Sequence, residues 1–315
     1  MNGLSKGSVS WIEIDEGAEG QRIDNFLVRT LKGVPRSHVY RILRSGEVRV
    51  NSGRVSATYR LVAGDRVRIP PVRLATPGPR RAGAGPRLGD KVLYEDDWLL
   101  AIDKPAGVAV HGGSGISLGV IEQLRELRPN QPYLELVHRL DRETSGVLLL
   151  AKRRRALTEL HAQLRHGGVD KRYQVLVMGH WQNRHQSVRL PLRKFVAGGG
   201  ERRVVVDEQG AAAVTVFHLL GHYDGFSLLE AELKTGRTHQ IRVHLSHLGF
   251  PIAGDDKYGD FAANKALEKA GLKRMFLHAA SVTLKHPVSE QRLRIEAPLP
   301  VALKRFLESR KGSLQ

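Results

Sequence analysis

Between Pro70 and Gly89 the chain carries five prolines (70, 71, 77, 79 and 86) and four glycines (78, 83, 85 and 89), with little apolar content. Proline fixes φ and removes a backbone donor, and glycine costs entropy wherever it is ordered. No helix interior or central strand can pass through such a stretch, so residues 71–89 read as a flexible, basic linker. The linker divides 315 residues unequally. Residues 1–89 hold 16 Lys+Arg against 7 Asp+Glu, net +9, while residues 90–315 hold 34 against 25, also +9. The short part therefore has more than twice the charge density of the long part. The total of +18 at pH 7 is a field that gathers polyanions, of which nucleic acid is the commonest large one.

The short part reads as two helices followed by a small basic sheet. In RIDNFLVRTLK, Ile23, Phe26, Leu27 and Leu31 fall on one helical face. SHVYRILRSG predicts a second helix, with Ser37 as N-cap and Gly46 as stop. Asn-Ser-Gly at 51–53 predicts a turn between short strands, and DRVRIP alternates Val67 and Ile69 with Arg66 and Arg68. Arg36, Arg41 and Arg44 on the second helix are the expected phosphate contacts, where a charge run elsewhere would be only a solvated face.

In the long part, 98–104, 146–152, 173–179 and 226–233 read as strands, and 117–128 and 153–167 as helices. They do not alternate regularly and no G-x-G-x-x-G opens the unit, so a dinucleotide-binding domain is disfavoured. The expected class is α+β with a mainly antiparallel mixed sheet. There is no cysteine, which removes disulfides, iron–sulfur clusters and thiol nucleophiles. No apolar run reaches the roughly 20 residues of a membrane span, and the polar start MNGLSKGSVSW lacks the apolar stretch of a signal peptide. A cytoplasmic protein without a membrane partner is expected.

Three segments could carry chemistry. In LELVHRLDRETSGVLLLAK, Asp141 lies at a strand mouth between Arg139 and Arg142, surroundings that favour an ionised carboxylate. From the residues alone it is either a nucleophile or a loop Asp in a salt bridge. In LKTGRTHQIRVHLSHLGFPIAGDDKYGD, a helix is expected to start near Thr238, and Arg237, His239, Arg242, His244 and His247 crowd its first turns. The histidine spacing invites zinc, but the intervening positions lack a Glu, and polar histidines near an RNA surface fit better. In KRYQVLVMG, Tyr173 opens a strand after two cations and is either a core residue or a stacking platform for a base.

HRLDRETSGVLLLAK, KRYQVLVMG and GRTHQIRVHLSHLGFPIAGDDKYGD, in this order and preceded by DKPAGVAVHGGSG, resemble the motifs of the RluA family of pseudouridine synthases. RIDNFLVRTLKGVPRSHVYRILRSGEVRVN resembles the small S-four-type RNA-binding module. The resemblance implies three parts: the RNA-binding module at 20–70, the linker at 71–89 and a catalytic domain at 90–310. It also implies Asp141 as nucleophile, Tyr173 stacking on the target base and helping to move a proton, and Arg242 as ion-pair partner of Asp141. Arg139 is implied in nucleotide flipping, with Arg237 and His239 beside the substrate. The implied reaction converts uridines of large-subunit (23S) ribosomal RNA, or its precursor, to pseudouridine with no cofactor and no metal, in a monomer. Two other classes compete. A non-catalytic ribosome-binding factor would have no chemical need for Asp141, Tyr173 and Arg242 together, and a glycoside hydrolase would need a second carboxylate across the bond.

Overall fold

The computed structural model describes residues 8–31, 34–72, 88–112, 118–197 and 201–311, apart from the side chains of Arg36 and Arg202. Most of the expected linker (73–87) therefore lies outside the described residues, as do the side chain of Arg36, residues 113–115 of the HGGSG string and Gly198–Gly200. Two compact units are present, Met1–Gly85 and Pro86–Gln315.

The first unit contains β1 (Ser10–Glu13), α1 (Ile23–Thr30), α2 (Arg36–Arg44), β2 (Arg49–Val50) and β3 (Arg66–Ile69), the strands forming an antiparallel sheet ordered β1-β3-β2. Ile23, Phe26, Leu27 and Leu31 are buried against Val39, Ile42 and Leu43 of α2 and Val67 and Ile69 of β3. Pro35, not Ser37, occupies the N-cap of α2. Its ring presets the backbone at a position where the missing N–H costs nothing, so the helix starts one residue before Ser37. Gly46 follows the C-cap at φ +72°, the left-handed conformation that ends a helix most cheaply in glycine. Asn51 and Ser52 both have positive φ (48° and 69°), and Val50 and Gly53 close the turn with reciprocal bonds of 3.0 and 2.8 Å. The turn expected from Asn-Ser-Gly is present, but only β2 flanks it: after the isolated bridge at Gly53 no strand forms until β3.

The second unit begins with a 3₁₀ turn and then β4 (Val92–Glu95), β5 (Leu99–Lys104), α3 (Val120–Leu127), β6 (Glu135–Leu136), β7 (Ser145–Ala151), α4 (Arg154–Arg165) and β8 (Asp170–Met178). It continues with β9 (His185–Arg189), β10 (Leu192–Val196), β11 (Arg202–Val206), β12 (Val214–Tyr223), β13 (Phe226–Leu233) and α5 (Gln240–His247). It closes with α6 (Phe261–Lys269), β14 (Leu277–Lys285), β15 (Arg292–Glu296) and α7 (Val301–Ser309). The main sheet runs β4-β5-β7-β14-β8-β13-β12-β9, with β15 on β14 and β6 on β7, while β10 and β11 pair as a separate hairpin. Among the described residues, β7–β14 is the one parallel pair of the main sheet, and the class is α+β.

The continuous apolar run of β7 follows from its position. Leu148 and Leu150 face a core covered by Val120, Ile121 and Leu124 of α3. Val147, Leu149 and Ala151 face the opposite core, covered by Ala156, Leu157 and Leu160 of α4. A strand buried on both faces needs no polar alternation. At its mouth Gly146 has φ +109°, and a Cβ there would lie 2.2 Å from the carbonyl oxygen of Ala279 in β14. Only glycine lets the chain turn from the Asp141 loop into a strand this close to its parallel neighbour.

Candidate active site

Asp141 sits in the loop between β6 and β7, and four interactions fix that loop. Val137 and Leu140 are buried and root it in the two cores. His138 Nε2 accepts the Leu149 N–H at 3.1 Å, so the ring proton is on Nδ1. Burial, reinforced by the charge of Lys171, pushes His138 down to about 4 and keeps it neutral. Lys104, fully buried, donates to the carbonyls of Pro105 (2.8 Å), Val108 (2.8 Å) and Arg142 (3.0 Å). Arg274 Nη2 donates to the Glu143 carbonyl (3.2 Å) and to Ser145 Oγ (2.9 Å). Two basic side chains thus grip the two residues that follow Asp141.

A cleft of about 610 Å³ opens above this loop, within the size range of small-molecule sites. Asp141, Tyr173, Arg139, Arg237, His239 and Arg242 all line it, so six of the nine sequence-selected residues come together. Arg36, Arg41 and Arg44 belong to the other unit. Arg41 and Arg44 are exposed on α2, and Arg41 contacts Glu47 at 3.2 Å. Asp141 is the one carboxylate among the described residues lining the cleft, and Arg165, Lys171 and Lys234 add further cations to its walls.

The cation facing Asp141 is neither of its chain neighbours. Arg142 points to Glu143 at 3.2 Å and to the Gly107 carbonyl at 3.1 Å, because the turn after Asp141 directs it away from the cleft. Arg242 of α5 supplies the charge instead, with Nη1 3.6 Å from Asp141 Oδ2. Its tightest partner is Asp255, which accepts Nε at 2.8 Å and Nη2 at 2.6 Å. Burial alone would lower the Arg242 value, but Asp255, then Asp141 and Asp256, outweigh it and hold the guanidinium above its ordinary value. Asp255 is itself fully buried and accepts the N–H groups of Lys257 and Tyr258. Although burial works against its charge, Arg242 and these N–H bonds hold it below the usual carboxylate range.

The helix expected near Thr238 begins at Gln240, because His239 adopts a left-handed backbone (φ +54°) at the N-cap. Gln240 satisfies all of its polar capacity. It accepts from Thr235 Oγ1 (2.8 Å) and the Arg237 N–H (3.0 Å), and donates to Val214 O (3.0 Å) and Thr215 Oγ1 (2.9 Å). His239 Nε2 lies 3.9 Å from Asp141 Oδ1. Arg237 is exposed at the rim, its Nε on the Ala212 carbonyl at 3.1 Å. His244 is fully buried between Thr215 Oγ1 and the Leu190 carbonyl, so it is a satisfied core histidine rather than one at a surface.

Tyr173 lies on β8 between Ala231 of β13 and Ala279 of β14, two small neighbours that leave its ring room at the cleft floor. The strand starts three residues earlier than Tyr173, at Asp170. Tyr173 is 8% exposed. Burial, then the charge of Asp141, raises its hydroxyl above the ordinary value, so it keeps its proton through neutral pH. Sequence reasoning passed over Lys104, Asp255, Tyr258 and Arg274. The signal for Asp255 was a buried Arg242 in need of a carboxylate, but three Asp residues within GDDKYGD offered one.

A family profile described as RNA pseudouridylate synthase matches residues 98–247, and a profile described as S4 domain matches residues 21–67. The chain is 52% identical over 310 residues to ribosomal large subunit pseudouridine synthase C of Salmonella typhimurium, with 96% of each protein covered. The protein of the same name in Pasteurella multocida is 50% identical over 304 residues, covering 95% of this chain and 93% of that one. Among solved structures, human RNA pseudouridylate synthase domain containing 4 aligns with a TM-score of 0.57 and 27% identity, over 70% of this chain and 94% of that one.

Proposed function

We propose, from the premise that the chain belongs to the RluA family of RNA pseudouridine synthases, that it isomerises uridines of large-subunit (23S) ribosomal RNA with Asp141 as nucleophile and without a cofactor. The observation that carries the catalytic part is Asp141 itself. Among the described residues it is the one carboxylate lining a cationic cleft, with Arg242 at one oxygen and His239 at the other. The substrate part rests on the relatives, named for the large ribosomal subunit.

The reaction breaks the bond from the sugar carbon C1′ to uracil N1, turns the base, and joins C1′ to C5. The proton lost from C5 balances the one gained at N1, and no electron leaves or enters, so the chemistry asks for no redox partner. It requires a carboxylate beside C1′, and the Arg242 guanidinium, 3.6 Å from Oδ2, holds that of Asp141 in place. Two routes are open to Asp141: addition to C1′, or removal of a sugar proton to give a glycal. Tyr173 offers a ring face to the detached base and a protonated hydroxyl beside it. Extruding the uridine costs about a few kcal/mol, which phosphate contacts with Arg139, Arg237 and the other cleft cations offset. The S-four-type module at 20–70, reached across the linker 71–89, adds affinity through Arg36, Arg41 and Arg44. The catalytic domain spans 90–310 and acts as a monomer, and a ribosomal substrate places the protein in the cytoplasm.

Carbodiimide labelling and primer extension on ribosomal RNA from a strain lacking the gene test this reading. Specific pseudouridines of the 23S RNA should disappear and return on complementation. An unchanged 23S map with stops lost from another RNA would move the substrate elsewhere.

A further inference from the structure

We infer that His239 is a positioning residue for Asp141, and that the Tyr258 hydroxyl, anchored by the β10–β11 hairpin, sets its tautomer. The inference rests on Asp141 being the carboxylate that reacts, and it comes from following the protons through three contacts. The backbone N–H of Val204, in β11, lies 3.0 Å from Tyr258 Oη, and an amide can only donate. Tyr258 Oη lies 2.8 Å from His239 Nδ1. His239 Nε2 in turn lies 3.9 Å from Asp141 Oδ1.

A phenol has one proton to give. Burial raises the Tyr258 hydroxyl above its ordinary value, so that proton is present at neutral pH. If Tyr258 donates it to Nδ1, the neutral imidazole carries its own proton on Nε2 and aims an N–H at Asp141. In the opposite tautomer, Nδ1–H would point at Tyr258 and the Nε2 lone pair would face a carboxylate, which is repulsive. Both ends of the ring therefore favour Nε2–H. Burial lowers His239, against the pull of Asp141 and with the help of Arg242 and Lys257, so the ring stays neutral. The two oxygens of Asp141 then face different groups: Oδ2 a guanidinium and Oδ1 a neutral N–H.

Two further observations fit a purposeful placement. His239 holds a left-handed backbone, φ +54°, at the N-cap of α5, a conformation that only a few per cent of non-glycine residues adopt. Tyr258 is held on three sides: its ring lies edge-on to His239 (5.4 Å between centroids), 5.1 Å from the Arg242 guanidinium carbon, and against Leu192, Val204 and Val243. The phenol thus ties the hairpin, His239 and Arg242 into one support for Asp141.

The test is nitrogen-15 NMR of the full chain labelled at histidine, with His239 assigned by its loss in His239→Gln. At neutral pH the Nε2 nitrogen should carry the proton and Nδ1 should not, and Tyr258→Phe, which leaves only the 3.9 Å contact with Asp141 to favour that tautomer, should admit a measurable share of the Nδ1–H form. A wild-type ring protonated on Nδ1, or on both nitrogens, would overturn the inference, as would a tautomer unmoved in Tyr258→Phe. Single-turnover rates give an independent arm that needs no Tyr258 variant. His239→Gln places an amide N–H where Nε2–H stood and should react at least tenfold faster than His239→Asn, whose amide reaches only the Nδ1 position. Equal rates would contradict the assignment. If Asp141→Asn itself remains active, the catalytic reading fails rather than this one, because the tautomer is read without turnover.

Discussion

Arg242 is one guanidinium shared between two carboxylates, Asp255 and Asp141. Motif resemblance pairs it with Asp141, but the bidentate bond goes to Asp255 and Asp141 receives the remaining nitrogen at 3.6 Å. A guanidinium locked by one carboxylate can hold its third nitrogen still over a second, which suits a carboxylate that must be free to react. Arg242→Met should therefore lose turnover and also destabilise the protein by about 3 kcal/mol, since Asp255 is left buried without its cation. Urea denaturation beside a single-turnover assay checks both, and a variant as stable and as active as wild type would remove Arg242 from the site. Tyr173→Phe keeps the ring and deletes the hydroxyl. A proton-transfer role predicts a collapse in turnover of about a hundredfold or more with RNA affinity unchanged. Unchanged turnover would leave Tyr173 only its stacking face.

At the scale of elements, β5, β7, β8 and β13 and helices α3 and α4 were legible because each is either buried on both faces or has a clear apolar stripe. β14 was not, although it is central. Its segment LHAASVTLK uses Ala, Ser and Thr, small residues that permit the close parallel approach to Gly146 and so dilute the apolar signal. β9 and β10 bury only one residue fully in five, leaving little periodicity to find. The site divides in the same way. Asp141, Tyr173 and Arg242 stand out by residue type within their strings, whereas Lys104, Asp255 and Tyr258 lie in the same strings but take their roles from folded contacts that spacing does not show, and Arg274 lies outside them. Lys104 gives this a measurable form. Burial, then Arg274, pushes its ammonium from an ordinary 10.5 down to about 7. Between those values the unfolded chain binds more protons than the folded one, so stability rises with pH, at about 1 kcal/mol per pH unit. Measured by urea denaturation, wild type should gain on Lys104→Met by that slope from about pH 7 to pH 9, and run parallel to it below pH 7. Curves parallel across the whole range would mean that the three carbonyls keep the ammonium charged.

At the scale of the molecule, the +18 charge is divided equally between residues 1–89, module and linker together, and a catalytic part more than twice as long. The division of labour proposed is affinity from the first and chemistry from the second. Each phosphate contact on single-stranded RNA contributes about 0.7 to the log–log salt slope of binding. A full-length variant with Arg41→Ala and Arg44→Ala should bind ribosomal RNA more weakly and with a slope shallower by roughly that amount per lost contact. A salt titration with an unaltered slope would mean that α2 does not touch phosphate. The claim on which every scale depends is that one carboxylate, Asp141, carries the reaction. Asp141→Asn keeps the shape of the side chain and removes its charge, so single-turnover pseudouridine formation with saturating 23S RNA tests that claim most directly. The account predicts a rate below about a hundredth of wild type with RNA affinity preserved within a few-fold. Turnover near the wild-type rate would contradict it.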